Sequence, residues 1–303
     1  MLKQLAWTSG ICGCVTVSLL MARSATGAVV LTDSAQERFA TTDESTISRT
    51  LRFAGAGERA LVIRLINGSI HVTGTDETTV DLRVRKRIRA ATDEDRRNAE
   101  RDVTLDIADN AALIGAVAHQ PDSSVCGERS DQRGWWRRPR YEVTFDVTVS
   151  VPRGTPLELC TINSGEVRVD GTAGDFEISN VNGRITMNGV RGSGNAETVN
   201  GAVSVSLTET PRSASRFKTH NGHVIVAFPA ALSADLRLKT FNGDLFTDFD
   251  IQPLSQPAPV VERRGMKSIY RSNDFARVRV GGGGPEITFE TFNGDVRVIK
   301  ERR

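Results

Sequence analysis

The sequence predicts an all-β protein, a single-stranded, β-helix-like β-solenoid with one short α-helix in its N-terminal part. Three observations predict this fold. A hydrophobic residue followed by Asn-Gly, one variable residue and an apolar alternation recurs along the chain. The copies form coils with a nearly fixed period of roughly 20 residues, which is typical of stacked repeats. Apolar and polar residues alternate on both sides of each Asn-Gly pair, as in strands that bury one face.

The Asn-Gly pairs are predicted to be tight turns between strands, because both residue types tolerate positive φ. The run opens with the variant Asn163-Ser164-Gly165, and the steps from Asn163 to Asn242 are 19, 18, 21 and 21 residues. The other pairs are Asn67-Gly68, Asn182-Gly183, Asn200-Gly201, Asn221-Gly222, Asn242-Gly243 and Asn293-Gly294. Each coil supplies two strands, and its apolar face is buried only when coils stack on one another.

The alternation assigns each side chain of a coil to the interior or to water. Residues two, four and six positions before the Asn, and three and five positions after it, share the interior face. The outward positions carry charges of both signs, such as Glu197 beside Lys218, which indicates a solvated outer face more than a ligand groove. The predicted interior set includes Met187, Val205 and Val226, and the predicted water-facing set includes Thr186, Ser204 and Arg297.

The residue two positions before the Asn is usually threonine, and its hydroxyl points inward. Such hydroxyls are tolerable if those of stacked copies hydrogen-bond to one another. The Asn side chains are candidates for a similar ladder, and a structural role is the favoured interpretation of them. The threonines are Thr161, Thr198, Thr219, Thr240 and Thr291.

The chain begins with a predicted secretory signal peptide, residues 1–28. Lys3 precedes an apolar run, and small residues lead to Ala28. No other stretch is long enough to span a bilayer, so we expect no transmembrane segment after cleavage. Cleavage would remove two of the 39 basic residues and none of the 37 acidic ones, which leaves a net charge of zero. This balance disfavours nucleic acid as a partner. The signal peptide predicts an exported protein of the periplasm, the outer envelope surface or the extracellular space.

Residues 29–60 are predicted to form a leader and first-strand region, and residues 61–156 an N-terminal β part. This part contains an arginine-rich strand from Val80, which the acidic residues between Asp93 and Asp102 are expected to balance. A short helix capped by Thr92 follows. Residues 120–140 form a polar loop that carries Cys126 and the pair Trp135-Trp136.

Cys126 and Cys160 are the two cysteines that remain after signal cleavage. In an exported chain, an even pair predicts a disulfide. Cys160 lies in the outward phase of the first repeat coil, where a passing loop can reach it. We therefore predict that a Cys126–Cys160 bond fastens the 120–140 loop to the repeat.

Residues 157–303 form the predicted repeat region, which is interrupted by an insertion at residues 250–275. Val151-Pro152-Arg153-Gly154 runs into the repeat, and the segment from Val280 through Gly281–Gly284 and Pro285 runs into Phe292-Asn293-Gly294-Asp295-Val296. These residues resemble the DUF4097 family of bacterial adhesin-type β-strand-repeat proteins, over roughly Leu61 to Val298. The resemblance implies export, a β-solenoid-like fold and no established enzymatic activity. The family has no agreed catalytic or binding residues to carry over.

The sequence contains none of the motifs typical of a hydrolase elbow, a zinc protease, a phosphate loop or a calcium loop. His220 and His223 flank one Asn-Gly pair, but two nitrogens without a carboxylate or thiol beside them make a poor metal site. We therefore predict no catalytic residues, no metal and no cofactor. The favoured function is a non-catalytic structural or adhesive module, and the alternatives are an accessory or sensor protein in envelope stress signalling and a polysaccharide-active β-helix enzyme.

Recognition is predicted to come from the two interruptions of the repeat, because a regular face varies little from coil to coil. Exposed aromatic and arginine side chains are frequent in binding hot spots, and an envelope protein or a glycan is the expected partner. Equally, both interruptions have a structural interpretation, as covers for the ends or an edge of the stack. The candidate residues are Trp135, Trp136, Arg263, Arg264, Lys267, Tyr270 and Arg271.

Overall fold

The fold was analysed in a computed structural model, which describes residues 39–53, 59–110, 113–120, 126, 139–163, 165–255, 260–264, 267–271 and 275–301. The predicted signal peptide lies outside the described residues. The helix is α1, Asp93–Asp102. The strands are β1 Thr41–Leu51, β2 Ala60–Asn67, β3 Ile70–Thr75, β4 Val80–Ala90, β5 Thr104–Asp109, β6 Leu113–His119, β7 Tyr141–Pro152, β8 Leu157–Asn163, β9 Val167–Asp170, β10 Phe176–Asn182, β11 Ile185–Val190 and β12 Gly194–Asn200. They continue with β13 Val203–Leu207, β14 Ser215–Asn221, β15 Val224–Phe228, β16 Ala234–Asn242, β17 Leu245–Thr247, β18 Ile251–Pro253, β19 Val260–Arg264, β20 Lys267–Arg271, β21 Ala276–Val280, β22 Glu286–Asn293 and β23 Val296–Lys300.

The protein is nearly all β, and its strands form two large sheets and the small hairpin β19–β20. Sheet A has the order β1-β4-β7-β3-β9-β11-β13-β15-β23-β17. Sheet B has the order β18-β21-β16-β22-β14-β12-β10-β8-β2-β6-β5. In the middle of both sheets the strands are parallel, and each coil contributes one strand to sheet B and, after its Asn-Gly corner, one strand to sheet A.

The Asn-Gly pairs are corners between the two sheets and not hairpin turns within one sheet. Asn200 pairs with Asn221, and Asn221 pairs with Asn293, so neighbouring corners lie in register. Among the described residues outside glycine, only Cys126 has a positive φ, so the Asn residues do not adopt the left-handed conformation that a tight hairpin would require. At five of the six Asn-Gly corners the glycine has a positive φ, as at Gly68 with φ 131° and Gly294 with φ 142°, and Gly183 is the exception.

The structure does not show the predicted single-stranded solenoid, because the sheets are mixed and not closed. At one end, β1, β4 and β7 pair antiparallel, as do β5 and β6. At the other end, β18 and β21 continue sheet B in antiparallel order.

The coils also do not follow one another in sequence order. The C-terminal coil β22/β23 lies between β14/β15 and β16/β17. The chain runs through β18 and β21 before it returns for this last coil. An Asn-Gly corner fits against any neighbour of the same kind, so the repeat pattern does not encode which coil is adjacent.

The hydrophobic core lies between the inner faces of the two sheets. Met187, Val205 and Val226 are buried, as the alternation predicts. On the opposite phase Arg297 is exposed, whereas Thr186 and Ser204 are half-buried because neighbouring strands flank them. Phe217 and Phe289 stack inside the core with ring centroids 5.7 Å apart.

The inward threonines bond differently from the prediction. Thr198 donates to the carbonyl oxygen of Gly183 at 2.8 Å, and Thr219 donates to that of Gly201 at 2.7 Å. Thr161, Thr240 and Thr291 make the same bond, each to the corner glycine of the adjacent coil. The hydroxyls therefore satisfy backbone carbonyls of the adjacent coil instead of one another.

The predicted short helix is confirmed as α1. The hydroxyl of Thr92 accepts from the backbone N–H of Asp95 at 3.1 Å, which caps the helix. The acidic helix residues are not the main partners of the arginine-rich strand β4, however. Arg85 pairs with Asp146 at 2.9 Å and Arg89 with Glu142 at 3.5 Å, because β7 lies directly beside β4 in the sheet.

Candidate functional site

The candidate site is formed by the residue that precedes each corner Asn, because this side chain points outward from sheet B. The exposed fraction of this residue is 7 % at Ile66, 42 % at Val199, 40 % at Phe292 and 68 % at Phe241, so it is largest at the β16 end of the column. The column in stacking order is Ile66, Ile162, Val181, Val199, His220, Phe292 and Phe241. We call His220, Phe292 and Phe241, together with Asn221, Asn293 and Asn242, the aromatic corner.

The three rings of the aromatic corner stack in one row. The centroids of His220 and Phe292 lie 4.8 Å apart with planes 11° from parallel. Those of Phe292 and Phe241 lie 4.7 Å apart with planes 6° from parallel. Since neighbouring strands lie about 4.8 Å apart, the sheet itself sets the ring spacing. All three residues are exposed, Phe241 most of all.

The asparagines beside the rings form a continuous hydrogen-bonded ladder. Asn221 donates to Asn200 at 2.8 Å, Asn293 donates to Asn221 at 2.7 Å, and Asn242 donates to Asn293 at 2.8 Å. The ladder continues to Asn163 through Asn182. Each bond uses one of the two Nδ2–H donors and one Oδ1 lone pair, so further amide donors and acceptors face outward along the row.

The glycines of the corner hold this spacing rigidly. The N–H of Gly294 donates to the carbonyl oxygen of Asn242 at 2.8 Å, and the N–H of Gly222 donates to that of Asn293 at 2.9 Å. A Cβ atom on Gly294 would lie 2.1 Å from the carbonyl oxygen of Gly222, so only glycine permits this approach. The aromatic corner is therefore preorganised by backbone contacts and not by flexible side chains.

A charged cluster lies on the sheet A side of the corner. The backbone N–H of Asp295 donates to Nδ1 of His223 at 3.0 Å, and Arg297 donates to the Asp295 carboxylate at 2.9 Å. The Arg297 guanidinium holds the pKa of that carboxyl below its ordinary value, and the N–H of Asp244 adds to this effect. The cluster is held by its own internal bonds.

A groove of about 550 Å³ lies farther along the outer face of sheet B, beside the cysteine pair. Glu158 in this groove accepts from Arg64 at 2.9 Å, and Glu177 accepts from Asn195 at 2.8 Å. Ile162 and Val181, which belong to the outward column, also line it. The groove and the aromatic corner therefore occupy opposite parts of one column.

The predicted pairing of Cys126 with Cys160 fits the structure. The sulfur atoms lie at bonding distance, and the Cα atoms are 6.1 Å apart. Trp135 and Trp136 lie outside the described residues. Arg263 and Arg264 lie on β19, and Lys267, Tyr270 and Arg271 lie on β20. The structure therefore brings these five residues to one hairpin, and none of them belongs to the aromatic corner.

The histidines that flank Asn221-Gly222 do not converge on a metal site. His220 stacks on Phe292, whereas His223 accepts from the backbone of Asp295. In the described part of the chain, no group of three or more His, Cys, Asp and Glu side chains could hold a metal ion. In the same part, no helix is long and apolar enough to cross a membrane.

The sequence singled out the three asparagines as turn residues and His220 as a poor metal ligand, but it did not identify the aromatic corner as a binding surface. The signal was nevertheless present, because the hydrophobic residue before each Asn belongs to the outward phase of its strand. Phe241 and Phe292 are thus aromatic residues at water-facing positions. What the sequence did not contain was the adjacency of β14, β22 and β16, which places these two rings and His220 in one row.

Comparisons with known proteins gave structural neighbours but no sequence match. No family model and no curated protein matches the chain, so the resemblance to DUF4097 stays a prediction. The chain is similar to a "putative cell adhesion protein" from Clostridium sporogenes, with a TM-score of 0.40 and 10% identity, over 86% of this chain and 100% of that one. It is also similar to a "putative adhesin" from Bacteroides fragilis, with a TM-score of 0.34 and 10% identity, over 85% and 97% of the two chains. For a "putative lipid binding protein" from Parabacteroides distasonis, the TM-score is 0.25 and the identity 9%, over 86% and 97%.

Proposed function

We propose that this chain is an exported, non-catalytic interaction module of the cell envelope that binds its partner through the aromatic corner. The stacked coils would serve as a solenoid-like scaffold that holds the binding surface at the joint between the two sheets. The observation that supports this proposal is the row of three stacked, water-exposed rings beside a ladder of amides.

Packing of the coils does not require aromatic residues at these positions. Val181 and Val199 occupy the same column in coils that stack equally well. Contiguous apolar side chains on a surface, rimmed by polar groups, are characteristic of interaction sites. Aromatic side chains are also among the residues that contribute most to binding energy. Recognition of a partner is therefore the function that best explains exposed Phe241 and Phe292.

The test is co-sedimentation of the mature chain with isolated native envelopes. We expect the double variant Phe241→Ala, Phe292→Ala to bind roughly tenfold more weakly or worse, which is the loss expected for a hot spot. Phe246→Ala is the matched control, because Phe246 is also an exposed phenylalanine, at 46 %, but lies on the outer face of sheet A. Equal binding by wild type and double variant would contradict the proposal, as would turnover of an envelope polymer by the wild type.

A further inference from the structure

The two ends of the stack differ in the chemistry of their edge strands. At the first end, sheet A finishes with β1, whose residues are almost all polar and exposed, and sheet B finishes with β5, which carries Asp106 and Asp109. Polar and charged edge strands are a common protection against pairing with another chain. At the second end, the edge strands are β17, Leu-Phe-Thr, and β18, Ile-Gln-Pro, and neither contains a charged residue. We call the second end the open end.

The open end exposes side chains that the rest of the stack buries. Leu245 occupies the position three residues after the corner Asn, where Val203, Val224 and Val296 are fully buried. Leu245 is 41 % exposed because no described strand lies beyond β17 in sheet A. Ile251 on β18 is 44 % exposed. Leu245 and Ile251 are therefore exposed apolar side chains on the two edge strands of this end, whereas Val278 and Val280 on β21 stay buried.

Among the described residues, no strand pairs with the second edge of β17. Val296 donates its N–H to the carbonyl of Asp244, and Asp248 donates its N–H to the carbonyl of Val298. Since backbone groups alternate in direction along a strand, the N–H and C=O groups of Leu245 and Thr247 point away from β23. In β18 the N–H of Leu254 donates to Arg277, so the backbone groups of Ile251 point outward in the same way.

The two sheets end at different levels. Sheet A ends at β17, which belongs to the same coil as β16, whereas sheet B continues past β16 with β21 and β18. The step is two strands high, which is about 10 Å at the usual strand spacing. A second copy turned end to end presents the same step inverted. Its two extra strands fill the two missing levels of sheet A, with β17 of each copy facing β18 of the other.

We propose that the open end is a homodimer interface, in which two copies associate by a two-fold axis and continue each other's sheets. The fit is self-complementary, so the contact closes at two copies. Head-to-tail stacking into filaments is disfavoured, because the first end offers polar edge strands in place of the complementary step. This inference goes beyond partner binding at the aromatic corner and does not depend on it.

The test is the mass of the exported, disulfide-bonded chain in solution, measured by light scattering after size exclusion over a dilution series. We expect the wild type to have twice the mass of one mature chain. Ile251→Lys places a charge in the interface and is expected to halve the mass. Val199→Lys is its control, because Val199 is equally exposed, at 42 %, but distant in stacking order from the open end.

A second pair of variants tests the strand pairing itself. Thr247→Pro removes an N–H that points away from β23, and such edge positions tolerate proline. It is expected to give a monomer, whereas Thr247→Ala, which keeps this N–H, is expected to remain a dimer. If either variant fails to fold, amide exchange of the wild type replaces it, and protection of Leu245 and Thr247 should fall on dilution. A wild-type monomer at all concentrations, open-ended oligomers, or a dimer that survives both Ile251→Lys and Thr247→Pro would overturn the proposal.

Discussion

Ser204 and Val205 are consecutive residues of β13 with different environments. Val205 is 4 % exposed and packs between the two sheets, whereas Ser204 lies on the outer face of sheet A between Thr186 and Ile225. Val205→Asp buries an unpaired charge, which costs several kcal/mol, and is expected to unfold the chain. Ser204→Asp should change the melting temperature by only a few degrees. Thermal unfolding followed by circular dichroism compares the two, and similar losses would show that the assigned phase is wrong.

Asp170 at the end of β9 should make stability depend on acid pH. Burial raises the pKa of its carboxyl, but hydrogen bonds from Arg168, Asn188 and His71 outweigh burial and lower the pKa to about 2. A carboxyl with a lowered folded-state pKa stabilises the fold above its unfolded value of 3.8, and this contribution is lost as the pH falls toward 2.

The variant Asp170→Asn isolates this contribution. At neutral pH we expect it to melt a few degrees below the wild type, since partly exposed ion pairs stabilise by at most about 1 kcal/mol. Between pH 4 and pH 2 the difference should shrink, because the carboxyl of the unfolded chain is protonated below its pKa of 3.8, whereas the folded one is half protonated only near pH 2. Melting temperatures over this range measure it, and a constant difference would exclude Asp170 as the titrating group.

At the scale of the coil, the corner depends on the glycine that follows each Asn. Gly294 has φ 142°, and a Cβ atom there would lie 2.1 Å from the carbonyl oxygen of Gly222. We expect Gly294→Ala to destabilise the fold by about 2 kcal/mol or more, which corresponds to roughly 4–8 °C in melting temperature. Gly154→Ala is the control, because no atom lies within 4 Å of the added methyl group. If both variants melt alike, close approach of the coils does not limit the corner.

At the scale of the whole molecule, the Cys126–Cys160 pair links residues that are 34 positions apart. A bond that closes a loop of this length is expected to stabilise the fold by roughly 3–4 kcal/mol in the chain-entropy model. Reduction, or the double variant Cys126→Ser, Cys160→Ser, should therefore lower the denaturant midpoint. Two free thiols in denatured, unreduced protein isolated from an oxidising compartment would refute the bond.

Much of the coil could be predicted from the sequence because its causes are local. Alternation along a strand assigns Met187 and Val226 to the interior whatever strand lies beside them, and both are buried. The hydroxyl of Thr92 caps α1 by accepting from the backbone N–H of Asp95, which lies three residues later. The pairing of Cys126 with Cys160 could be predicted because only two cysteines remain after the predicted signal peptide. One of them, Cys160, lies on the first coil of the predicted repeat region.

The order of the coils was decided only by the tertiary structure, because their matching corners make the coils interchangeable as neighbours. Placement of β22/β23 between β14/β15 and β16/β17 brings Phe292 between His220 and Phe241, although Phe292 is 51 residues from Phe241 in sequence. The antiparallel strands at both ends, the step at β17 and the bonds from the threonines to glycine carbonyls have the same origin. Each depends on which strand is adjacent, which is a long-range choice that the local alternation leaves open.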